Sequence, residues 1–204
     1  AYGQQPEVVA ALGRAVAEGL MAGGVLPVIK HVPGHGRATL DSHLALPVVT
    51  TPRSELTATD FAPFQALAAM PAAMTAHVVF ADIDSARPAS TSPRVIAEVV
   101  RGEIGFDGLL MSDDLGMKAL DGDMRARAEA VIAAGSDVAL HCSGDLAELE
   151  AAAAGVPVLT GAALRRFTAA IGVVNRSPAP FDRMAAEAAL AAVLADHARY
   201  VESV

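Results

Sequence analysis

Tryptophan is absent from this 204-residue sequence, and aromatic residues make up only 4% of it. Basic clusters are missing as well. Arg165-Arg166 is the one adjacent basic pair, the formal charge is −8 and the sequence pI is about 5.1. An acidic chain without a basic patch excludes nucleic acid and an anionic membrane surface as partners. A single cysteine, Cys142, rules out an intrachain disulfide and fits a reducing compartment, so the expected location is the cytoplasm. No apolar stretch approaches the roughly 18 residues of a membrane span, and no signal peptide is legible, although the chain opens on Ala1 rather than Met. No Gly-x-Gly-x-x-Gly follows a strand, and the Gly34–Gly36 loop lacks the Gly-Lys-Ser/Thr ending of a phosphate cradle. Internal repeats are absent, and low complexity is confined to alanine-rich helices.

What remains is a globular composition, 53% hydrophobic and 19% charged, long enough for one well-cored domain or two small ones. Apolar spacing predicts helices over 6–23, 59–69, 93–103, 124–134, 145–154, 161–171 and 183–203. Met184, Leu190, Leu194 and Val201 form the expected inner face of the last one. Short apolar runs predict strands over 25–29, 72–80, 108–112 and 137–142. Residues 44–49 read as an apolar connection and 177–180 as a hinge. Strands alternating with helices imply an α/β fold with a parallel sheet.

Polar residues gather where these strands end, which is where active sites of barrels and open parallel sheets lie. The densest group is residues 30–43, with three of the six histidines in thirteen residues: Lys30-His31-Val32-Pro33-Gly34-His35-Gly36, then Asp41-Ser42-His43. Pro33, Gly34 and Gly36 forbid a helix there, so the polar groups are expected on a loop. Asp41 and His43 share a face if the local chain is extended, which suits a proton shuttle; an exposed turn-capping aspartate is the plain alternative. His31 and His35 have the spacing of a helical metal pair, but the helix is excluded and no Cys or Glu stands near, so no metal is expected. Asp113 and Asp114 end a strand and point to opposite sides. One reads as nucleophile or base, and Asp114 is the better cap. His77 and His141 read equally as structural histidines or ligand contacts, and Cys142 as a buried small hydrophobe more than a nucleophile.

The run Lys30-His-Val-Pro-Gly-His-Gly, the Asp41-Ser-His43 triplet and Met111-Ser-Asp113-Asp-Leu-Gly-Met117 together resemble glycoside hydrolase family 3, and within it the bacterial β-N-acetylhexosaminidase branch. The likeness runs from Tyr2-Gly3 through the segment after Leu140. It implies a retaining glycosidase of peptidoglycan recycling that releases terminal N-acetylglucosamine from β-linked muropeptides, with no organic or metal cofactor. It implies Asp113 as nucleophile, His43 as acid/base paired with Asp41, and Lys30, His31 and His77 as sugar contacts. It also implies a (β/α)8 barrel, of which residues 1–175 would be the C-terminal portion from about the fifth strand onward, closed by a helix in 176–204. An arginine of the sugar subsite would stand just before Tyr2-Gly3, and earlier strands before Ala1. The exposed edges of such a half-barrel favour self-association. A β-glucosidase or β-xylosidase of the same family and a non-catalytic sugar-binding fragment are the alternatives. The Asp41–His43 pair favours the hexosaminidase branch.

Overall fold

The computed structural model describes residues 2–202, with side-chain surroundings through Ala195. Helix α1 (Pro6–Ala22) opens with proline in its first turn, where the missing N–H costs nothing, and Gly23 and Gly24 close it by donating to the Gly19 and Met21 carbonyls respectively. The chain then enters β1 (Val28–Val32), crosses the short helices α2 (Arg53–Ala58) and α3 (Ala62–Ala66), and returns through β3 (Ala72–Thr75). A helix wound in the π form (Val95–Glu103) leads to β5 (Leu109–Asp114), and α4 (Met124–Ala134) leads to β6 (Val138–Leu140). These four strands form one sheet in the order β1-β3-β5-β6, parallel throughout. The alternation read from the sequence is therefore an α/β fold with parallel strands. Helices α5 (Leu146–Ala154), α6 (Gly161–Val174) and α7 (Arg183–Glu202) complete it.

Several elements depart from expectation, each for a local reason. The first strand lies three residues later than the apolar run suggested, so Lys30 and His31 belong to the strand and not to a loop. The strand expected over 72–80 breaks at Ala76, after which Val79–Phe80 (β4) pairs with Val48–Val49 (β2) in a separate two-stranded sheet. The helix expected over 59–69 is two short helices, because the chain turns at Thr59 and Asp60. The stretch 177–180 is tied rather than free: the Ala179 N–H donates to the Ala22 carbonyl at 2.8 Å. Met184, Leu190 and Leu194 are exposed and not inside, because their helix finds no apolar surface among the described residues to cover them. Ser203 and the Val201 side chain lie outside the described residues.

The main core sits between β1, β3 and the π-helix. Phe61 and Phe80 meet edge to face at 6.2 Å there, with Val95, Val99 and Leu110 fully buried around them. At the opposite end of the sheet from the polar clusters, the buried Asp137 carboxylate accepts from Arg101 at 2.9 Å, Arg166 at 3.1 Å and the Leu110 N–H at 2.9 Å. One side chain thus pins the π-helix, α6 and β5 together. Asp137→Ala leaves two guanidinium groups, each 17% exposed, without their shared anion. It is expected to destabilise the fold by about 3–5 kcal/mol, read as a lower urea midpoint at an unchanged slope.

Candidate active site

The C-terminal ends of β1 and β5 lie one strand apart, on either side of β3, and each carries one extra residue relative to its neighbour. Between β1 and β3, Lys30 faces Met74 and Val32 faces Thr75, so His31 is the inserted residue of a bulge. Between β5 and β6, Met111 faces Val138 and Asp114 faces Leu140, so Ser112 and Asp113 span one residue of β6. The Ser112 hydroxyl accepts the Leu140 N–H at 3.0 Å within that irregularity. Bulges turn a side chain out of the regular alternation. Here they bring His31 Nε2 to 3.6 Å from Asp113 Oδ2. The peptide bonds Lys30-His31 and Val32-Pro33 are cis.

Burial holds the His31 imidazole below its ordinary pKa, and the nearby Asp113 charge opposes that only in part. A neutral His31 leaves the Asp113 carboxylate free of a full ion pair. Asp113 is itself fixed: its Oδ1 accepts the Asp114 N–H at 2.9 Å, and its side chain is only 13% exposed. Lys30, on the same strand end, is exposed to solvent.

The loop after β1 places the second pair. The His43 ring nitrogen Nδ1 lies 2.8 Å from Asp41 Oδ1, and the His43 backbone N–H donates to the same oxygen at 2.9 Å. Those two bonds, backbone first, hold the Asp41 carboxyl below its usual range. Between them Ser42 is buried and lies 3.2 Å from His35 Nε2, which anchors the loop inward. The segment is a turn and not extended: the Leu44 and Ala45 N–H groups donate to the Asp41 carbonyl at 2.9 and 3.0 Å, and the Asp41 carboxylate caps it while pairing with His43. The His35 ring centroid is 5.5 Å from that of His31, which links the loop to β1. Gly34, at φ +153°, passes so close that a Cβ would stand 3.0 Å from that of Asp60. The two clusters are thus assembled separately: among the described residues no hydrogen bond or ion pair joins Asp41 or His43 to Asp113.

His77 corrects an expectation. It is fully buried, its Nδ1 accepts from the Ser90 hydroxyl at 2.7 Å, and its Nε2–H donates to the Asp114 carbonyl at 3.1 Å. With both nitrogens spent inside the protein it braces the end of β5 and has none left for a ligand. Cys142 is exposed rather than buried. Partial desolvation and the charges of Asp114 and Asp113 raise its thiol pKa, the reverse of what a nucleophile needs. Asp114 caps a turn and not a helix: its Oδ1 accepts the N–H groups of Gly116 at 3.0 Å and Cys142 at 3.1 Å. The sequence reading missed His35, Ser42 and Ser112 as supports, and no local pattern marks them. It also missed Glu148, which an Asp145-x-x-Glu148 capping-box pattern advertises, although that side chain turns to His141 and Ser143 instead.

Burial also sets a pH dependence. His77 and His31 both have pKa values lowered by desolvation from 6.5. As pH falls through about 6.5 the unfolded chain takes up protons that the folded one refuses, so stability drops, by up to about 1.4 kcal/mol per pH unit for each such group. The urea midpoint is expected to be lower at pH 5.5 than at 7.5, and the difference to shrink in His77→Gln.

Comparison with known proteins agrees with this picture. Residues 1–170 match the model of the glycosyl hydrolase family 3 N terminal domain. The beta-hexosaminidase of Bordetella avium (strain 197N) is 41% identical over 153 residues, covering 72% of this chain and 43% of that protein. The one from Stenotrophomonas maltophilia (strain R551-3) is 38% identical over 192 residues, covering 92% and 55%. The chain thus spans about half the length of the curated relatives it matches. Among solved structures, a family 3 beta-N-acetylglucosaminidase from Paenibacillus sp. str. FPU-7 superposes with TM-score 0.78 at 31% identity, over 90% of this chain and 38% of that one. NagZ from Neisseria gonorrhoeae, in complex with N-trifluoroacetyl-D-glucosamine, gives 0.72 at 34% identity, over 83% and 51%. On these matches, together with the strand-end site, the chain belongs to glycosyl hydrolase family 3.

Proposed function

We propose that this chain supplies the catalytic half of a retaining β-N-acetylhexosaminidase, releasing terminal N-acetylglucosamine from β-linked muropeptides during peptidoglycan recycling in the cytoplasm. The observation that carries the reading is the pair of carboxylates in two different settings. Asp113 is rigid at a strand end beside a neutral His31, and Asp41 is exposed on a loop and bonded twice to His43. A fixed carboxylate suits in-line attack on an anomeric carbon, and a carboxylate-oriented imidazole on an exposed loop suits proton delivery.

In this mechanism the Asp113 carboxylate forms an ester bond to the anomeric carbon as the glycosidic C–O bond breaks. The His43 imidazolium gives its proton to the departing oxygen. Neutral His43 then takes a proton from water as that water attacks the anomeric carbon, expelling Asp113, and two inversions leave the configuration retained. Asp41 orients the ring and stabilises its charged form. Lys30 and His31, at the end of β1, bind sugar hydroxyl groups.

Residues 1–175 would then form the C-terminal portion of a (β/α)8 barrel, with 176–204 as a closing helix. Three features support this: β1 and β6 have free edges, the α1 residues Val8, Leu12, Val16 and Leu20 stay exposed, and an open cavity of about 960 Å3 lies between α1 and β1. Such edges favour pairing. The isolated chain is expected to self-associate, and light scattering after size exclusion should give a mass above the 20.8 kDa of one chain. A strictly monomeric peak at tens of micromolar would argue against open edges.

The functional test is hydrolysis of 4-nitrophenyl N-acetyl-β-glucosaminide beside the matching β-glucoside and β-xyloside. Preference for the first supports the reading. Preference for either of the others moves the chain to the glucosidase or xylosidase branch, and sugar binding without turnover by any of them identifies a non-catalytic remnant.

A further inference from the structure

The mechanism leaves the His141 side chain without a task. His141, immediately after β6, has a side chain only 3% exposed. Its Nδ1 lies 3.3 Å from Asp114 Oδ1, and its Nε2 lies 2.9 Å from Glu148 Oε2 on α5. The Ser143 hydroxyl completes the outer end, 2.8 Å from Nε2 and donating to Glu148 at 2.7 Å. Burying an imidazole is costly unless its nitrogens are bonded. An aliphatic side chain would fill the end of an apolar strand without that cost. The ring therefore serves as a crosspiece, running from a helix to the carboxylate next to Asp113.

We propose that His141 is a positioning residue for the Asp113 nucleophile, acting through Asp114. The inference rests on the assignment of Asp113 made above. The Asp114 carboxylate gathers the Gly116 and Cys142 N–H groups and the His141 ring on a single oxygen. Its own N–H is the donor to Asp113 Oδ1 at 2.9 Å, and its carbonyl is held by His77. Asp114 is thus held twice, at its carbonyl by His77 and at its side chain by the His141–Glu148 chain. A turn of Asp114 would swing its N–H, and the Asp113 carboxylate bonded to it would move as well. Gly116 wraps tightly over the assembly: a Cβ there would stand 3.3 Å from both Asp114 Oδ2 and His141 Cε1. A network whose members are all bonded fixes geometry better than apolar packing, which tolerates sliding.

Three variants of the full chain test this. His141→Val keeps the burial and removes both bonds, His141→Asn restores a donor towards Asp114, and Glu148→Ala cuts the outer anchor at a half-exposed position. On the chromogenic N-acetylglucosaminide, His141→Val is expected to lower kcat about 10- to 100-fold with KM changed less than about twofold. His141→Asn should recover most of that loss, and Glu148→Ala should show a smaller loss of the same kind. A fall in KM-dependent binding with kcat intact, or no recovery in His141→Asn, would overturn the proposal. Wild-type turnover is the separate control for the function itself. Where wild type shows none, the midpoint of the His31 ring 15N titration, which senses Asp113 through space, decides instead. It should shift in His141→Val and Glu148→Ala and return in His141→Asn; an unmoved midpoint in both of the first two overturns the proposal.

Discussion

Asp113→Ala is expected to lower kcat on an N-acetyl-β-glucosaminide by about four orders of magnitude or more, because no other group is placed to form the glycosyl ester. The carboxylate lies in a bulge of β5 with one oxygen held by the Asp114 N–H and the other 3.6 Å from His31. Few contacts depend on it, so the thermal midpoint should stay near wild type, which separates lost chemistry from lost fold. Two further readings follow from the same geometry. Added azide, a small anion that fits the space of the missing carboxylate, should restore part of the turnover and give a glycosyl azide of inverted configuration. The His31 pKa should fall further below its usual value, because the Asp113 charge is what opposes its desolvation. Turnover within tenfold of wild type would remove Asp113 from the reaction.

His43→Ala is the second large effect. Loss of the proton donor is expected to cost about 10^2- to 10^4-fold in turnover of a muropeptide-like substrate, whose leaving oxygen must be protonated as the bond breaks. With a nitrophenyl leaving group the first step needs little acid, so the loss should fall on hydrolysis of the ester, which then accumulates as a burst of nitrophenol. Azide should relieve that second step, since it needs no base. The His43 side chain is 74% exposed, so stability should not change. Asp41→Asn keeps an acceptor oxygen but loses the charge that the pair is built around, and should fall between wild type and His43→Ala. Equal turnover on both substrate types in His43→Ala would mean that another group carries the proton.

The loop arrangement explains why these effects should be independent of folding. Ser42 is buried and bound to His35, while its two neighbours face solvent. A turn capped by the Asp41 carboxylate makes that division, so the two-residue spacing announced the Asp41–His43 pairing although the extended conformation expected for it does not occur. The parallel sheet was legible for a similar reason: buried strands and amphipathic helices differ in apolar period, and their alternation leaves few topologies. That Asp113 and Asp114 serve different tasks followed from the opposite orientation of adjacent strand residues.

Three-dimensional packing alone decided the rest. The residues 72–80 have one continuous apolar pattern, yet the strand breaks at Ala76 because Val79–Phe80 finds a second partner in Val48–Val49. Local pattern cannot report a pairing thirty residues away. His77 read equally as a structural histidine or a ligand contact, and only its surroundings show that both nitrogens are taken. The exposed apolar residues of α1 and α7 carry the spacing of buried faces, but spacing says nothing of whether a partner surface exists. Composition, motifs and alternation thus determined the class of fold and most of the chemical groups. The positions of those groups were set by two bulges, one at His31 and one spanning Ser112 and Asp113. A bulge is a mismatch between two strands, so it has no signature in either strand's own sequence.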